Sequence, residues 1–268
     1  RPRCDVFWNN EILNTLRLKK AGLLEVFKPE AAKGYPAEFK DADGLWTGFA
    51  ARGRVLIVNT DLVPKADLPK KLQDLRKPEW KGKIGIAKPL FGTTATEVAV
   101  RNAREAKDPK DPAGLKSFLA LLKEQEVKIL GGNKGCAQAV ASGTLAMAFT
   151  DTDDAIIEKE NKKPVEIVCL DAGADDVGAL FIPNTLSLVK GCPHPENAKK
   201  FIEYLLSPEV EIALSKCASA QIPINPAVDV PSRVATPKTV KAMAADWEKA
   251  AELFETTAGV IRKDLLGE

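Results

Sequence analysis

Ser142-Gly143-Thr144-Leu145-Ala146-Met147-Ala148-Phe149-Thr150-Asp151-Thr152-Asp153-Asp154-Ala155 lies near the middle of a 268-residue chain. Leu145 to Phe149 is an apolar run of strand length. Three carboxylates follow within four residues, Asp151, Asp153 and Asp154. In an open α/β sheet, ligands bind just beyond the carboxyl ends of strands. The cluster therefore reads in two ways, as a site for a positive group or as the solvated start of a helix. Asp151 suits an N-cap, and acids in a first helical turn complement the helix dipole. One cap needs one acceptor, however, and three like charges repel unless solvated or sharing a cation. Hard oxygen ligands suit Ca²⁺, Mg²⁺, Mn²⁺ or Fe³⁺, or an ammonium group.

Outward from this stretch, strands alternate with helices. Cys4 to Trp8 reads as a strand, with Asn9 and Asn10 as caps for a helix carrying Ile12, Leu13 and Leu16 on one face. Val55-Leu56-Ile57-Val58 and Lys83 to Ala87 are further strands. Thr94 to Ala106 predicts a helix, broken by Pro109 and Pro112 before a second from Ala113 to about Gln125. Lys128 to Leu130 and Val165 to Leu170 read as strands, Lys134 to Ala141 and Asp153 to Glu160 as helices. Gly178 to Ile182 and Leu186 to Val189 read as two strands parted by Pro183-Asn184. From about Lys238 the pattern is two helices separated near Gly259. Such alternation predicts an α/β fold with parallel sheets covered on both faces.

Composition narrows the function classes. Apolar residues make up 45% and charged residues 28%, with 39 basic against 37 acidic side chains for a formal charge of +2. That balance argues against nucleic-acid or membrane-surface binding. No run approaches the ~20 apolar residues of a membrane span. Arg1-Pro2-Arg3 leads straight into the first strand without a signal-peptide pattern, which reads as a start inside a domain. None of the five cysteines forms a CxxC pair. Buried free thiols are the simplest reading, with Cys192 and Cys217 able to pair in an oxidising compartment.

Gly92-Thr93-Thr94-Ala95-Thr96-Glu97 follows a strand and opens a helix, with Thr94 and Glu97 at capping-box spacing. Such a start either caps the helix or holds an anion on its free N–H groups and hydroxyls. Asn9, Asn10 and Glu11 offer amide and carboxylate groups, again as a cap or as ligands. Arg52 and Arg54 precede a buried strand and face an anion, the acids, or solvent. His194, the only histidine, lies in the turn sequence Cys192-Pro193-His194-Pro195. Without GxSxG, HExxH or GxGxxG, the chain gives little support to an enzyme.

The order of several motifs is similar to that of the periplasmic solute-binding proteins of bacterial ABC importers, in the ferric-ion-binding branch. The likeness rests on Asp5-Val6-Phe7-Trp8-Asn9-Asn10-Glu11, Leu45-Trp46-Thr47-Gly48 running to Arg54-Val55-Leu56-Ile57-Val58-Asn59, and Pro78-Glu79-Trp80-Lys81-Gly82-Lys83-Ile84-Gly85-Ile86-Ala87. Ile182-Pro183-Asn184 and the stretch from His194 to Glu209 extend it over nearly the whole chain. The resemblance implies a two-lobed type II periplasmic-binding-protein fold: residues 1–87 with 178–268 as lobe one, 88–177 as lobe two, and C-terminal helices able to pack across to lobe two. It implies a periplasmic or secreted protein that captures a small solute between its lobes and passes it to a membrane permease. Asp151, Asp153 and Asp154 would hold a metal ion (Fe³⁺, Mn²⁺ or Ca²⁺) or the positive part of an organic solute. Thr93 and Thr94 would hold phosphate, carbonate or an acidic group of the ligand. Asn9, Asn10, Glu11, Arg52 and Gln221 would contribute further contacts.

Two departures from the family pattern stand out. An adjacent tyrosine pair ligates iron in the ferric-ion-binding members, and by that motif it would fall at Asp153 and Asp154. The only tyrosines here are Tyr35 and Tyr204. Members also begin with a strand–helix–strand before the Asp5 segment, and the resemblance implies that this piece is lacking. Two other readings accompany this one: a transferase of porphobilinogen-deaminase-like architecture anchored through Cys136 or Cys217, and a degenerate protein that binds partners but no solute.

Overall fold

The computed structural model describes residues 2–105 and 115–268. Pro109, Pro112 and the expected helix start at Ala113 lie outside the described residues. The chain folds into two compact units, residues 1–52 with 182–233 and residues 53–181 with 234–268.

The first unit opens with β1 (Val6–Asn9), α1 (Leu13–Lys20) and β2 (Leu24–Glu25). Asn9 and Asn10 do not cap α1; the Glu11 carboxylate does, accepting from Leu13 N at 2.7 Å and Asn14 N at 3.1 Å. A buried acid at a helix start satisfies orphan donors and the dipole together. After several short 3₁₀ turns comes β3 (Thr47–Asn59), which begins in the first unit and ends in the second.

The second unit continues with β4 (Ile84–Ala87), α2 (Gly92–Glu105), α3 (Lys116–Glu124), β5 (Lys128–Leu130) and α4 (Asn133–Ala141). It then adds β6 (Met147–Asp151), α5 (Thr152–Glu160) and β7 (Val165–Val168). β4 pairs parallel with β5 and β6, whereas β3 runs antiparallel to β6 and β7. The expected all-parallel sheet is therefore mixed. β3 enters from the other unit rather than through a helical crossover, so nothing obliges it to run with its neighbours.

Side chains alternate across this sheet with period two. Leu56, Val58, Ile84, Ile86, Met147 and Phe149 pack on one face with Phe118 and Leu122 of α3. Val55, Ile57 and Ala148 pack on the other with Val140 of α4 and Ala155 of α5. Both faces are covered, which is why the strands are near-continuous apolar runs. Each fully buried Leu, Ile or Val contributes about 1.5–3 kcal/mol.

The chain returns through β8 (Phe181–Val189), antiparallel to β1 and β2. Pro183-Asn184 does not split it. Pro183 precedes Thr185, the first residue paired with β1, so its missing N–H costs that ladder nothing. Helices α6 (Pro195–Leu205) and α7 (Pro208–Lys216) follow, and Ile202, Leu205 and Leu206 pack against Phe49, Leu186 and Leu188. The final helices, α8 (Trp247–Glu252) and α9 (Phe254–Ile261), belong to the second unit. They break at Leu253, and Gly259 sits inside α9. Thr257 of α9 accepts from Asn102 of α2 at 2.9 Å.

The unit boundaries differ from those expected at 87/88 and 177/178, with the switches at 52/53, 181/182 and 233/234. β4 hydrogen-bonds to β5 and β6 and Arg54–Val58 of β3 to β6, so residues 53–87 join the second unit's sheet.

Candidate functional site

Asp151 ends β6, and the antiparallel register sets it directly opposite Arg54 on β3. Both side chains are 3% exposed, and Arg54 Nη1 donates to Asp151 Oδ1 at 2.7 Å. Arg54 Nε donates to Glu97 Oε2 at 2.8 Å, and Arg101 Nη2 donates to Glu97 Oε1 at 2.8 Å. The result is a buried alternation of charge, Arg101–Glu97–Arg54–Asp151. Burial works against the Arg54 charge, but Asp151 and Glu97 outweigh it and raise its pKa. Burial likewise pushes Glu97 up, and Arg54 and Arg101 win, holding it below the usual carboxylate range. Glu97 is thus an ion-pair partner and not the second half of a capping box.

The start of α2 and the start of α4 complete the cluster. Thr93 Oγ1 donates to Asp151 Oδ2 at 2.5 Å, and Asn133 Nδ2 donates to the same oxygen at 2.8 Å. Asn133 Nδ2 also donates to Thr93 Oγ1 at 2.8 Å, while Thr94 Oγ1 donates to Asn133 Oδ1 at 3.0 Å. Asp151 occupies the N-cap position of α5 but makes no side-chain cap bond. Its carboxylate is turned instead to Arg54, Thr93 and Asn133. Asn133 went unrecognised in the sequence; the signal was Gly131-Gly132 followed by a residue favoured at helix starts.

Asp153 and Asp154 lie in the first turn of α5, both half-buried. One carboxylate oxygen from each of Asp151, Asp153 and Asp154 falls within 4.8 Å of the others. A carboxylate offers about four lone-pair directions, and Asp151 spends three on its hydrogen bonds. Asp151 therefore has one lone pair of Oδ1 left, beside the Asp153 and Asp154 carboxylates.

The other sequence-predicted residues sit in the first unit. Asn9 Nδ2 donates to Glu11 Oε1 at 2.8 Å, Glu11 is committed to the α1 cap, and Asn10 is exposed. Arg52 Nη2 donates to Asn184 Oδ1 at 3.0 Å and to Gln221 Oε1 at 3.4 Å. Asn184 Nδ2 donates to Gln221 Oε1 at 3.1 Å and to the Ala50 carbonyl. Ala50 (φ 41°) and Ala220 (φ 45°) flank this trio in left-handed backbone, which costs a residue with a Cβ about 1–3 kcal/mol. Glu211 anchors the arrangement by accepting from Ala50 N at 2.7 Å and Asn225 N at 2.6 Å.

The cysteines form no disulfide. Cys136 and Cys192 are buried, Cys4 and Cys217 exposed, and Cys169 in between. Burial pushes the Cys136 thiol up to about 12, which makes it a poor nucleophile. His194 is an exposed turn residue beside Asp5.

The profile of the bacterial extracellular solute-binding proteins matches residues 2–252. The major ferric iron-binding protein of Neisseria meningitidis is 28% identical over 237 residues, covering 85% of this chain and 68% of the relative. Iron uptake protein A2 of Synechocystis is 25% identical over 233 residues, covering 80% of this chain and 63% of the relative. The crystal structure of iron-bound HitA from Pseudomonas aeruginosa superposes with a TM-score of 0.84 at 27% identity, covering 97% of this chain and 83% of that one. The two α/β units are those of the type II periplasmic-binding-protein fold. The chain belongs to the bacterial extracellular solute-binding protein family.

Proposed function

We propose that this chain is the periplasmic or secreted solute-binding component of an ABC importer, and that its solute presents a positive centre to Asp153 and Asp154. The observation that carries this reading is the grouping of Asp151, Asp153 and Asp154 oxygens within 4.8 Å at the start of α5. Three acids that close repel unless a cation or solvent offsets them, and hard oxygen donors select hard cations or ammonium groups. Two relatives described above are named for iron, which supports a metal ion as that centre. By the family motif the iron-ligating tyrosine pair would fall at Asp153 and Asp154, so the resemblance implies carboxylate rather than phenolate ligands here.

A thermal-shift panel tests the reading, with Fe³⁺, Mn²⁺ and Ca²⁺ in one arm and aminophosphonates and alkylammonium compounds in the other. The expected result is concentration-dependent stabilisation by members of one arm, since any ligand of the native state alone raises its stability. A flat response in both arms contradicts it.

A further inference from the structure

The start of α2 reads in the sequence as a helix cap or an anion site, and in the structure the Thr93 and Thr94 hydroxyls are already engaged. The Thr93 hydroxyl donates to Asp151 Oδ2 and the Thr94 hydroxyl to Asn133 Oδ1. The Asn133 amide donates to Thr93 Oγ1 and Asp151 Oδ2. Arg54 adds its Nη1 hydrogen bond to Asp151 Oδ1. Thr93, Thr94, Arg54 and Asp151 are all at most 5% exposed. Of these donor groups, Arg54 Nη2 alone has no hydrogen-bond partner among the described residues.

We propose that Asp151 is a resident counter-anion: its carboxylate fills the donor cluster of Thr93, Asn133 and Arg54, so the protein takes its cationic solute without a co-bound phosphate or carbonate. The chemistry follows from the donor count. A free oxyanion at this place finds the Thr93, Thr94 and Asn133 protons committed and only Arg54 Nη2 open, and it has to approach a buried carboxylate of its own sign. Removing that carboxylate reverses both conditions, because it frees the Thr93 and Asn133 donors and leaves the Arg54 charge short of one partner. The consequence for solute binding rests on the cation reading above; the filled donor cluster does not.

The test is chemical rescue of the full chain at constant ionic strength, read as the thermal midpoint in chloride, inorganic phosphate, bicarbonate or formate. The wild type is expected to show the same midpoint in all four. Asp151→Ala is expected to melt lower in chloride and to recover several degrees in formate or bicarbonate, whose size and charge match the missing carboxylate. Asp151→Asn keeps the shape and controls for folding. A folded Asp151→Ala that no anion stabilises overturns the proposal. So does a wild type that phosphate stabilises when Thr93→Val is not stabilised, and that arm decides alone if Asp151→Ala does not fold. A cation that binds only when phosphate is present also sinks the counter-anion and spares the solute reading. A protein that binds no cation, yet is rescued as described, sinks the solute reading and spares the counter-anion.

Discussion

Arg54 holds two buried carboxylates at once, Glu97 on one side and Asp151 on the other. Breaking a buried ion pair by removing one partner costs about 3–5 kcal/mol, because the remaining charge is stranded in low dielectric. Arg54→Met is expected to lower stability by about that much in urea denaturation at neutral pH. The pH dependence carries a second signature. Glu97 has a folded pKa below its ordinary 4.5, so its contribution is present above that value and lost as the pH falls through the folded one. In Arg54→Met, Glu97 loses the partner that holds its pKa down, and the variant is expected to lose less stability than the wild type on acidification. A variant that tracks the wild-type acid curve contradicts this. Very little of this network was legible in the sequence. Arg54 was recognisable as a residue able to face the acids, but its partner Asp151 is 97 positions away, and only strand register brings the two together.

Element identity was far more legible, since apolar period and length report local structure directly. The misses were at places where two local rules compete. Asn9 and Asn10 are better caps by residue type than Glu11, yet Glu11 is the residue whose carboxylate reaches the free N–H groups of α1. Pro183 breaks a strand by residue type, and β8 runs through it. Gly178 shows the opposite case, a position where only glycine fits. Its φ is +101°, and an added Cβ would lie 2.5 Å from the Ala242 carbonyl carbon and 2.5 Å from Met243 N. That close approach lets Ala179 N donate to Lys241 O and Met243 N donate to Ala179 O, both at 2.8 Å. These bonds tie the 241–243 segment to the second unit ahead of α8. Gly178→Ala is expected to cost at least ~2 kcal/mol by thermal or urea unfolding. A loss below ~0.5 kcal/mol would show that the segment moves aside freely.

At the scale of the whole molecule, the strand–helix alternation was enough to predict an α/β fold, and the family resemblance implied two lobes, but neither located where the chain passes between them. Neither 52/53 nor 181/182 falls in a loop, because β3 and β8 each run through their boundary as one continuous strand. Family membership and fold then narrow the function to solute capture, and on the proposed reading the residues at the start of α5 meet the solute's positive centre. The most direct test of that step is a calorimetric titration of the wild type and of Asp153→Asn/Asp154→Asn with the cation that the thermal panel selects. Asp151 stays in place in this double variant, so the buried network with Arg54 is untouched. The account predicts saturable one-site binding to the wild type and a loss of at least ~100-fold in affinity in the variant, the ~2.7 kcal/mol expected when two charge-assisted contacts go. Equal affinity in both proteins would contradict it, by placing the solute elsewhere.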